Sequence, residues 1–408
     1  MNINAERLWQ RLMDMAKVGA TEKGGNTRLA LSPEDSQGRA QLIEWGKSIG
    51  LVHRYDAIGN LFLCREGKRA DLPPIMMGSH LDTQPKGGRF DGIYGVLSGL
   101  EVLQSLHDAG QYTEHPIELA VWCNEEGARF TPAMLGSAVF CGKMPLEQAL
   151  AIQDKQGMSV GEALVAERQV GDTPLQRPLS AYLELHIEQG PVLEAANIPI
   201  GVVTGGQGIF WLDAVTTGKA AHAGTTPMEM RRDSMVATAK MIAQLEQKIR
   251  EAFPDGLVTF GELQIPNSSR NTIPARVYWT IDLRHPNASL LQQMRKLTED
   301  VLSAIATQQG VEISVSEHWY SPPTPFDVRL VQCVREAAEK ANLANQPIIS
   351  GAGHDAIHLA TYCPTTMIFI PCEGGLSHNE AENITPDHAA QGCEVLYYTL
   401  LNADQIKE

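Results

Sequence analysis

Histidines and carboxylates lie at or just beyond the ends of four short apolar segments in this 408-residue sequence. The segments are 74–79, 117–122, 181–187 and 365–370, and the residues in question are His80, Asp82, Glu125, Glu126, His186 and His378. Imidazole and carboxylate groups together suit Zn, Mn, Co or Ni better than Ca. The residue types therefore predict a site for borderline divalent cations.

The adjacent pair Glu125 and Glu126 offers two different chemical roles. In an extended segment, neighbouring side chains point in opposite directions, so the two carboxylates are not expected to share a role. One of them would bind a metal ion while the other accepts a proton from a water molecule. Attack of that water on an amide carbonyl would give an oxyanion that needs electrostatic stabilisation. The pair thus indicates metal-assisted amide hydrolysis.

Two further acidic residues complete the predicted metal site. Asp91 lies in the glycine-rich segment 87–92, where the backbone can approach a ligand closely, and its carboxylate could bridge two cations. Asp82 lies two residues after His80, on the same side of an extended segment. Because metal-bound histidines need an acceptor for their second ring nitrogen, Asp82 is the expected partner of His80.

A second histidine pair, His354 and His358, has the i, i+4 spacing of a zincin helix. Asp355 stands where that motif has its glutamate, which shortens the presumed base by one methylene group. We therefore interpret His354 as a substrate-binding residue near the main pocket and His358 as a structural residue.

The elements that must position these residues alternate between two patterns. The four apolar segments are typical of buried strands, and amphipathic stretches such as 95–109 between them are typical of helices. This alternation predicts an α/β fold with a mainly parallel sheet that is covered on both faces. In such sheets, ligands bind outside the carboxyl ends of the strands, so the four clusters are expected to meet at one site.

Residues 209–321 follow a different order. Predicted strands at 209–217, 257–265, 276–284 and 311–319 alternate with helices at 231–252 and 289–308. The resulting order, βαββαβ, is that of a ferredoxin-like unit. The sequence therefore predicts a smaller domain at 209–321, inserted into a discontinuous domain of residues 1–208 and 322–408. Its open sheet has free edges that are suited to a dimer contact.

Composition excludes several classes of function. The formal net charge of −15 argues against a nucleic-acid partner, and no apolar run is long enough to span a membrane. The seven cysteines form no Cys-x-x-Cys pair, and the amino-terminal residues lack the pattern of a signal peptide. Free thiols in the cytoplasm are the expectation.

Nine short motifs resemble those of one known enzyme family. They are GSHLDT (78–83), GRFDGIYG (88–95), NEEGARF (124–130), LHIEQG (185–190), HAGTTPM (222–228), NTIP (271–274), DLRH (282–285), GAGHD (351–355) and SHN (377–379). At these positions the chain resembles the M20 metallopeptidase/amidohydrolase family, and within it the N-carbamoyl-L-amino acid hydrolases. The motifs occur in family order along almost the whole chain.

The resemblance implies a role for each matching residue. It implies two divalent cations per subunit (Mn, Zn, Co or Ni), held by His80, Asp91 as the bridging ligand, Glu126, His186 and His378. Glu125 becomes the general base. The inserted domain becomes a lid and dimerisation domain, so a homodimer is expected. The implied substrate-binding residues are Gln207, His222, Asn271, Arg284, Gly353 and His354. An arginine fork such as that of Arg284 can hold a substrate carboxylate with two hydrogen bonds.

The expected reaction is hydrolysis of a small molecule that carries a ureido group and a carboxylate. An N-carbamoyl-L-amino acid would yield the L-amino acid, carbon dioxide and ammonia. Allantoate amidohydrolase is the nearest alternative, followed by β-ureidopropionase and by an aminoacylase or dipeptidase of the same family. A non-catalytic metal-binding scaffold is the remaining alternative, but such a scaffold has no need of a carboxylate, like Glu125, that binds no metal.

Overall fold

The computed structural model describes residues 2–406, which form two compact units. The larger unit comprises the described residues up to Gly205 and from Pro325 onward, and the smaller unit is Gly206–Thr324. The smaller unit begins and ends a few residues outside the predicted segment 209–321.

Sixteen strands are found in the described part of the chain. They are β1 (Val52–Tyr55), β2 (Leu61–Arg65), β3 (Ile75–His80), β4 (Ile117–Trp122), β5 (Ala181–Ile187), β6 (Ile200–Gly206), β7 (Gly208–Thr217), β8 (Ala221–His222), β9 (Leu257–Thr259), β10 (Leu263–Gln264), β11 (Thr272–Ile273), β12 (Arg276–His285), β13 (Glu312–Ser321), β14 (Thr324–Pro325), β15 (Asn345–Ser350) and β16 (Thr365–Ile370).

Twelve α-helices accompany these strands within residues 2–406. They are α1 (Ala5–Met15), α2 (Pro33–Lys47), α3 (Ile93–Asp108), α4 (Leu135–Phe140), α5 (Leu146–Leu150), α6 (Val160–Ala166), α7 (Val192–Ala196), α8 (Ser234–Ala252), α9 (Ala288–Gln309), α10 (Val328–Lys340), α11 (Asp355–Leu359) and α12 (Pro386–Ala403). Short 3-10 turns occur at Met228–Met230 and Glu373–Gly375. No helix among the described residues has the length and hydropathy needed to cross a membrane.

The sheet of the larger unit runs in the order β1-β2-β4-β3-β5-β16-β6-β14, and β15 pairs with β6. Its centre, β4-β3-β5-β16, is parallel, whereas β1, β2 and β6 join their neighbours antiparallel. These four central strands correspond to the four apolar segments, and almost all of their side chains are buried because helices cover both faces. The predicted α/β fold with a mainly parallel sheet is confirmed. Parallel strands end at the same edge, so the residues that follow them meet there.

Helix α3 carries the Asp91 loop into the core. Its side chains from Ile93 to Leu106 are all buried, because the helix packs against β3, β5 and α12. The helix begins immediately after Gly92, which has a φ of 71°. A Cβ atom at Gly92 would lie 2.4 Å from the imidazole ring of His80. Only glycine therefore allows Asp91 and His80 to approach each other at this turn.

The smaller unit has a separate antiparallel sheet with α8 and α9 packed against it to form its own core. The sheet order is β10-β12-β7-β13, with β9 also paired to β12. Numbered along the predicted βαββαβ unit, these are the second, third, first and fourth strands, which is the ferredoxin-like order 4-1-3-2 when the sheet is followed from β13. The ferredoxin-like fold is therefore confirmed. The predicted strand 257–265 is divided into β9 and β10. The pairing register with β12 shifts by one residue between Thr259, which lies opposite Asp282, and Leu263, which lies opposite Trp279. Between these pairs the N–H group of Glu262 donates to the side chain of Thr280.

Candidate metal centre

A cavity of about 180 Å³ lies at the carboxyl edge of the four central strands. Its lining consists of His80, Gln84, Asp91, Glu125, Glu126, Ala133, Met134, His186, Gln189, Ala352, Gly353, His354 and His378. The structure thus brings together all five predicted metal ligands, the predicted base and two of the predicted substrate residues. Asp82 does not line the cavity.

Asp91 stands between two groups of potential ligands. Its Oδ1 atom lies 3.1 Å from Nε2 of His186 and 3.6 Å from Nε2 of His80. Its Oδ2 atom lies 3.3 Å from Nε2 of His378, which is in turn 3.4 Å from Oε2 of Glu126. The first ligand group is therefore His80, Asp91 and His186, and the second is Asp91, Glu126 and His378. In each group the three potential ligand atoms lie within 4.8 Å of one another. The donor set fits two cations that share one carboxylate, each with an imidazole and room for further ligands.

Glu125 is buried beside these groups but belongs to neither. Its Oε2 atom lies 3.4 Å from Nε2 of His80, and only 7% of its surface is exposed. Burial raises the pKa of Glu125 well above its usual range, and the nearby negative charge of Asp355 adds to that effect. Burial and the Asp91 carboxylate also raise the pKa of Glu126, to about 7. Both carboxyls therefore bind a proton more readily than a carboxyl in water does.

The backbone at the glutamate pair differs from the prediction. The expectation of an extended segment with opposed side chains is wrong, because β4 ends at Trp122 and Asn124 adopts a φ of 55°. Both glutamates line the same cavity and face different histidines. The turn is held by Asp82, whose carboxylate accepts hydrogen bonds from the N–H groups of Glu125 (3.2 Å) and Glu126 (3.1 Å).

Asp82 also contacts His80, but through a different atom from the one expected. Nδ1 of His80 is 2.9 Å from the main-chain carbonyl oxygen of Asp82 and 3.9 Å from the carboxylate. The main chain therefore takes the place that the carboxylate was predicted to fill. This carbonyl accepts a hydrogen bond from the Nδ1–H group of His80, so that Nε2 faces Asp91.

His354 and His358 separate into different environments. His354 precedes α11, is 2% exposed, and its ring centroid lies 4.5 Å from that of His186. Burial and the proximity of His186 hold the pKa of His354 well below its usual range, so its ring is neutral near pH 7. His358 instead has its Nδ1 atom 3.1 Å from the hydroxyl of Ser137. Among the described residues, the groups suited to a metal ion include His354 with Glu184 and His186 but leave out His358.

Comparison with known proteins places this geometry in a family. The model of peptidase family M20/M25/M40 matches residues 76–402, which is most of the chain. The chain belongs to this family. An N-carbamoyl-L-amino-acid amidohydrolase of Rhizobium meliloti is 45% identical over 407 residues, covering 100% of this chain and 98% of the relative. This M20 chain is also 32% identical to an allantoate amidohydrolase of Bacillus subtilis, over 90% of each protein.

A solved structure shows the same fold over the full length of this M20 chain. The protein is an amidase of the hydantoinase/carbamoylase family from Burkholderia multivorans, with 46% identity and a TM-score of 0.96. The match covers 100% of this chain and 99% of the other. This chain therefore has the fold of that solved amidase.

Four polar residues around the candidate metal ligands were not singled out from the sequence: Gln84, Gln189, Ser377 and Glu382. The amide of Gln84 donates to Oε2 of Glu126 (2.7 Å). The amide of Gln189 and the hydroxyl of Ser377 both donate to Oδ2 of Asp91, at 2.9 and 3.0 Å. Proximity to the motifs was a signal for the first three, since each lies in a motif or directly beside one. For Glu382, four residues beyond His378, the sequence contained no comparable signal.

The other four predicted substrate residues of this M20 chain belong to the smaller unit: Gln207, His222, Asn271 and Arg284. Gln207 lies between β6 and β7. His222 and Asn271 are neighbours, because β8 pairs with β11 and the N–H group of Ala223 donates to the Asn271 carbonyl. On β12, Nε and Nη2 of Arg284 donate to the Asp282 carboxylate at 3.0 and 2.8 Å.

Proposed function

We propose that this M20 chain hydrolyses the ureido amide bond of N-carbamoyl-L-amino acids and releases the L-amino acid, carbon dioxide and ammonia. The observation that carries the proposal is the position of Glu125. This buried carboxylate lies next to two ligand groups that share Asp91 but contributes to neither. A carboxylate that binds no metal ion but lies beside the metal ligands can accept a proton from a water molecule, as a general base must. The 45% identity to an N-carbamoyl-L-amino-acid amidohydrolase over the whole chain supports the choice of amide.

The proposed cofactor is a pair of divalent cations chosen from Mn, Zn, Co and Ni. His80 and His186 would hold one cation, Glu126 and His378 would hold the other, and Asp91 would contact both. When bound, such cations polarise a carbonyl oxygen and lower the pKa of water. The fit rests on the two oxygens of Asp91, which face different ligand groups.

The remaining chemistry belongs to side chains of the cavity. Glu125 accepts a proton from the attacking water and returns it to the leaving nitrogen. His354 presents a neutral imidazole, and its buried Nε2 atom has no hydrogen-bond partner among the described residues. Because an unpaired buried nitrogen is costly, we propose that this atom pairs with the ureido group of the substrate. Gly353 lines the cavity beside it.

Recognition of the substrate carboxylate is proposed for the smaller unit. Arg284 offers a planar fork of N–H donors, and its Nε and Nη2 atoms are oriented by Asp282. Gln207, His222 and Asn271 would contribute further polar contacts to the ureido group and carboxylate. In this proposal the metal centre performs the hydrolysis and the smaller domain selects the substrate.

Replacement of Arg284 by lysine tests that assignment. Lysine keeps the charge but loses the fork, so kcat/KM for a carboxylated substrate is expected to fall by roughly 10–100-fold, mainly through KM. Steady-state kinetics on N-carbamoyl-L-methionine measure the effect. Arg276→Lys is the matched control, since Arg276 is an exposed residue at the other end of the same strand. Equal kinetics for the two variants would contradict the proposed role of Arg284.

A panel of substrates tests the proposed reaction. The metal-loaded protein is offered N-carbamoyl-L-methionine, N-carbamoyl-β-alanine, allantoate and N-acetyl-L-methionine, and release of ammonia and of free amine is measured. We expect the highest kcat/KM for N-carbamoyl-L-methionine. Turnover of none of the ureido compounds would refute the assignment.

Allantoate amidohydrolase is the second candidate, because a relative of that name is 32% identical over 90% of each chain. Allantoate also carries ureido groups and a carboxylate, so the same centre and the same arginine would serve it. The panel separates the two candidates, since a kcat/KM for allantoate above that for N-carbamoyl-L-methionine would favour this second function.

A homodimer in the cytoplasm completes the proposal. At one edge of the smaller sheet, β13 pairs only with β7 within the described residues, and this leaves a ten-residue edge available to a second copy. All seven cysteines are free, which suits a reducing compartment.

A further inference from the structure

Glu382 lies outside both ligand groups, yet it holds the segment that carries Asp91. Its side chain is 1% exposed. Its Oε1 atom accepts hydrogen bonds from the N–H groups of Phe90 (2.9 Å) and Asp91 (3.0 Å). The same carboxylate oxygen therefore fixes two consecutive peptide groups next to the shared ligand.

The second oxygen of Glu382 reaches the segment that carries His378. The hydroxyl of Ser377, which precedes His378, lies 3.1 Å from Oε2 of Glu382 and 3.0 Å from Oδ2 of Asp91. One buried carboxylate thus connects the loop of Asp91, which belongs to both ligand groups, with the loop of His378, which belongs to one of them. The loops are 291 positions apart at Asp91 and Glu382, so their relative position depends on this contact and on the surrounding packing.

The glycine at position 88 provides an independent observation. A Cβ atom at Gly88 would lie 2.0 Å from both Cδ and Oε1 of Glu382. Since φ at Gly88 is not in the left-handed region, the glycine is needed for space and not for its backbone conformation. The segment before Asp91 is therefore shaped around the Glu382 carboxylate.

We propose that Glu382 is a positioning residue that sets the affinity of both cation sites by fixing the orientation of Asp91. The inference rests on the proposed binuclear centre. Asp91 must direct one oxygen to each ligand group, so a small rotation of its loop weakens both sites together. Groups that orient metal ligands through hydrogen bonds typically change metal affinity by about 10–100-fold when they are removed.

The test is a titration of the metal-stripped full-length protein with Co²⁺ alone, followed by calorimetry and visible absorption. Glu382→Ala is expected to weaken both binding events by about 10–100-fold. Glu382→Gln retains an oxygen for the two N–H groups, so it is expected to lose less affinity than Glu382→Ala. Wild-type affinity in Glu382→Ala, or weakening of only one binding event, would overturn the proposal. A purely structural role would lower the melting temperature and leave the Co²⁺ affinity of the folded protein unchanged.

Gly88→Ala tests the same proposal without removing the Glu382 carboxylate. It replaces Glu382→Ala as the test variant if Glu382→Ala does not fold. The added methyl group displaces Glu382, so Co²⁺ binding is expected to weaken in the wild-type background and to change little in the Glu382→Ala background. Gly161→Ala is the control, because its nearest neighbour would lie at 3.4 Å. Equal Co²⁺ affinity of the Gly88→Ala and Gly161→Ala variants would overturn the proposal. An equal loss of Co²⁺ affinity from Gly88→Ala in the wild-type and Glu382→Ala backgrounds would overturn it as well.

Co²⁺ titration requires no substrate, so it is independent of the reaction. If the substrate panel fails while Glu382→Ala weakens Co²⁺ binding, the proposed reaction is wrong and the positioning role stands. If the panel succeeds while Glu382→Ala binds Co²⁺ with wild-type affinity, the proposed reaction stands and the positioning role of Glu382 is wrong.

Discussion

Glu125→Gln is expected to lower the turnover of N-carbamoyl-L-methionine by roughly 10²–10⁴-fold, which is the usual contribution of a general acid–base residue. Glutamine has nearly the same size as glutamate but does not accept a proton from water at neutral pH. Since Glu125 belongs to neither ligand group, the variant is expected to bind the same number of metal ions as the wild-type protein. Metal analysis and single-turnover kinetics on the same sample separate loss of the base from loss of metal.

The neighbouring carboxylate supplies the control for this experiment. Glu126 lies 3.4 Å from His378 and belongs to the second ligand group, so Glu126→Gln is expected to lose metal as well as activity. The two variants remove one negative charge each from adjacent positions. Full activity of the metal-loaded Glu125→Gln variant would refute its role as the base, and equal metal loss in both variants would refute the division of roles.

Asp91→Asn is expected to abolish activity and to weaken metal binding at both sites together. Within residues 2–406, Asp91 is the only residue that belongs both to the group with His80 and His186 and to the group with Glu126 and His378. The amide nitrogen of asparagine does not bind a cation, so one contact is lost and the negative charge shared by the two ions is removed. The loss of affinity should exceed the roughly 10–100-fold that follows removal of an outer partner of a ligand.

Variants of single-group ligands provide the comparison. His186→Ala and His378→Ala each remove a ligand from one group only, so each should leave one metal ion bound per chain. Inductively coupled plasma mass spectrometry of dialysed samples gives the stoichiometry, and circular dichroism confirms that the variants are folded. Retention of one tightly bound ion in Asp91→Asn would contradict a bridging role.

Most of the fold could be predicted from local sequence pattern. The central strands β3, β4, β5 and β16 are predominantly apolar segments, because both faces of a parallel sheet are buried. The helices of the smaller unit, α8 and α9, have the apolar periodicity of helices packed on one face of a sheet. Prediction was less accurate at 257–265, where the pairing register with β12 shifts by one residue and divides the strand into β9 and β10.

The common location of the candidate ligands could also be predicted, because strand-end residues of neighbouring parallel strands meet at one edge. The roles of particular atoms could not be predicted from the sequence. Extended geometry was assumed for Glu125 and Glu126, but a left-handed residue at Asn124 and the carboxylate of Asp82 turn both glutamates into one cavity. That turn depends on contacts between β3 and β4, which local sequence does not specify.

The sequence by itself determined which residue types are available, their order along the chain and the strands that carry them. Only the tertiary structure decided how they divide into two groups around Asp91 and which neighbours orient them. Glu382 illustrates the difference, since it contacts the main chain at Asp91 from 291 positions away. The physical reason is that strand and helix patterns arise from burial of nearby side chains, whereas a hydrogen bond between distant loops exists only after the core has brought those loops together.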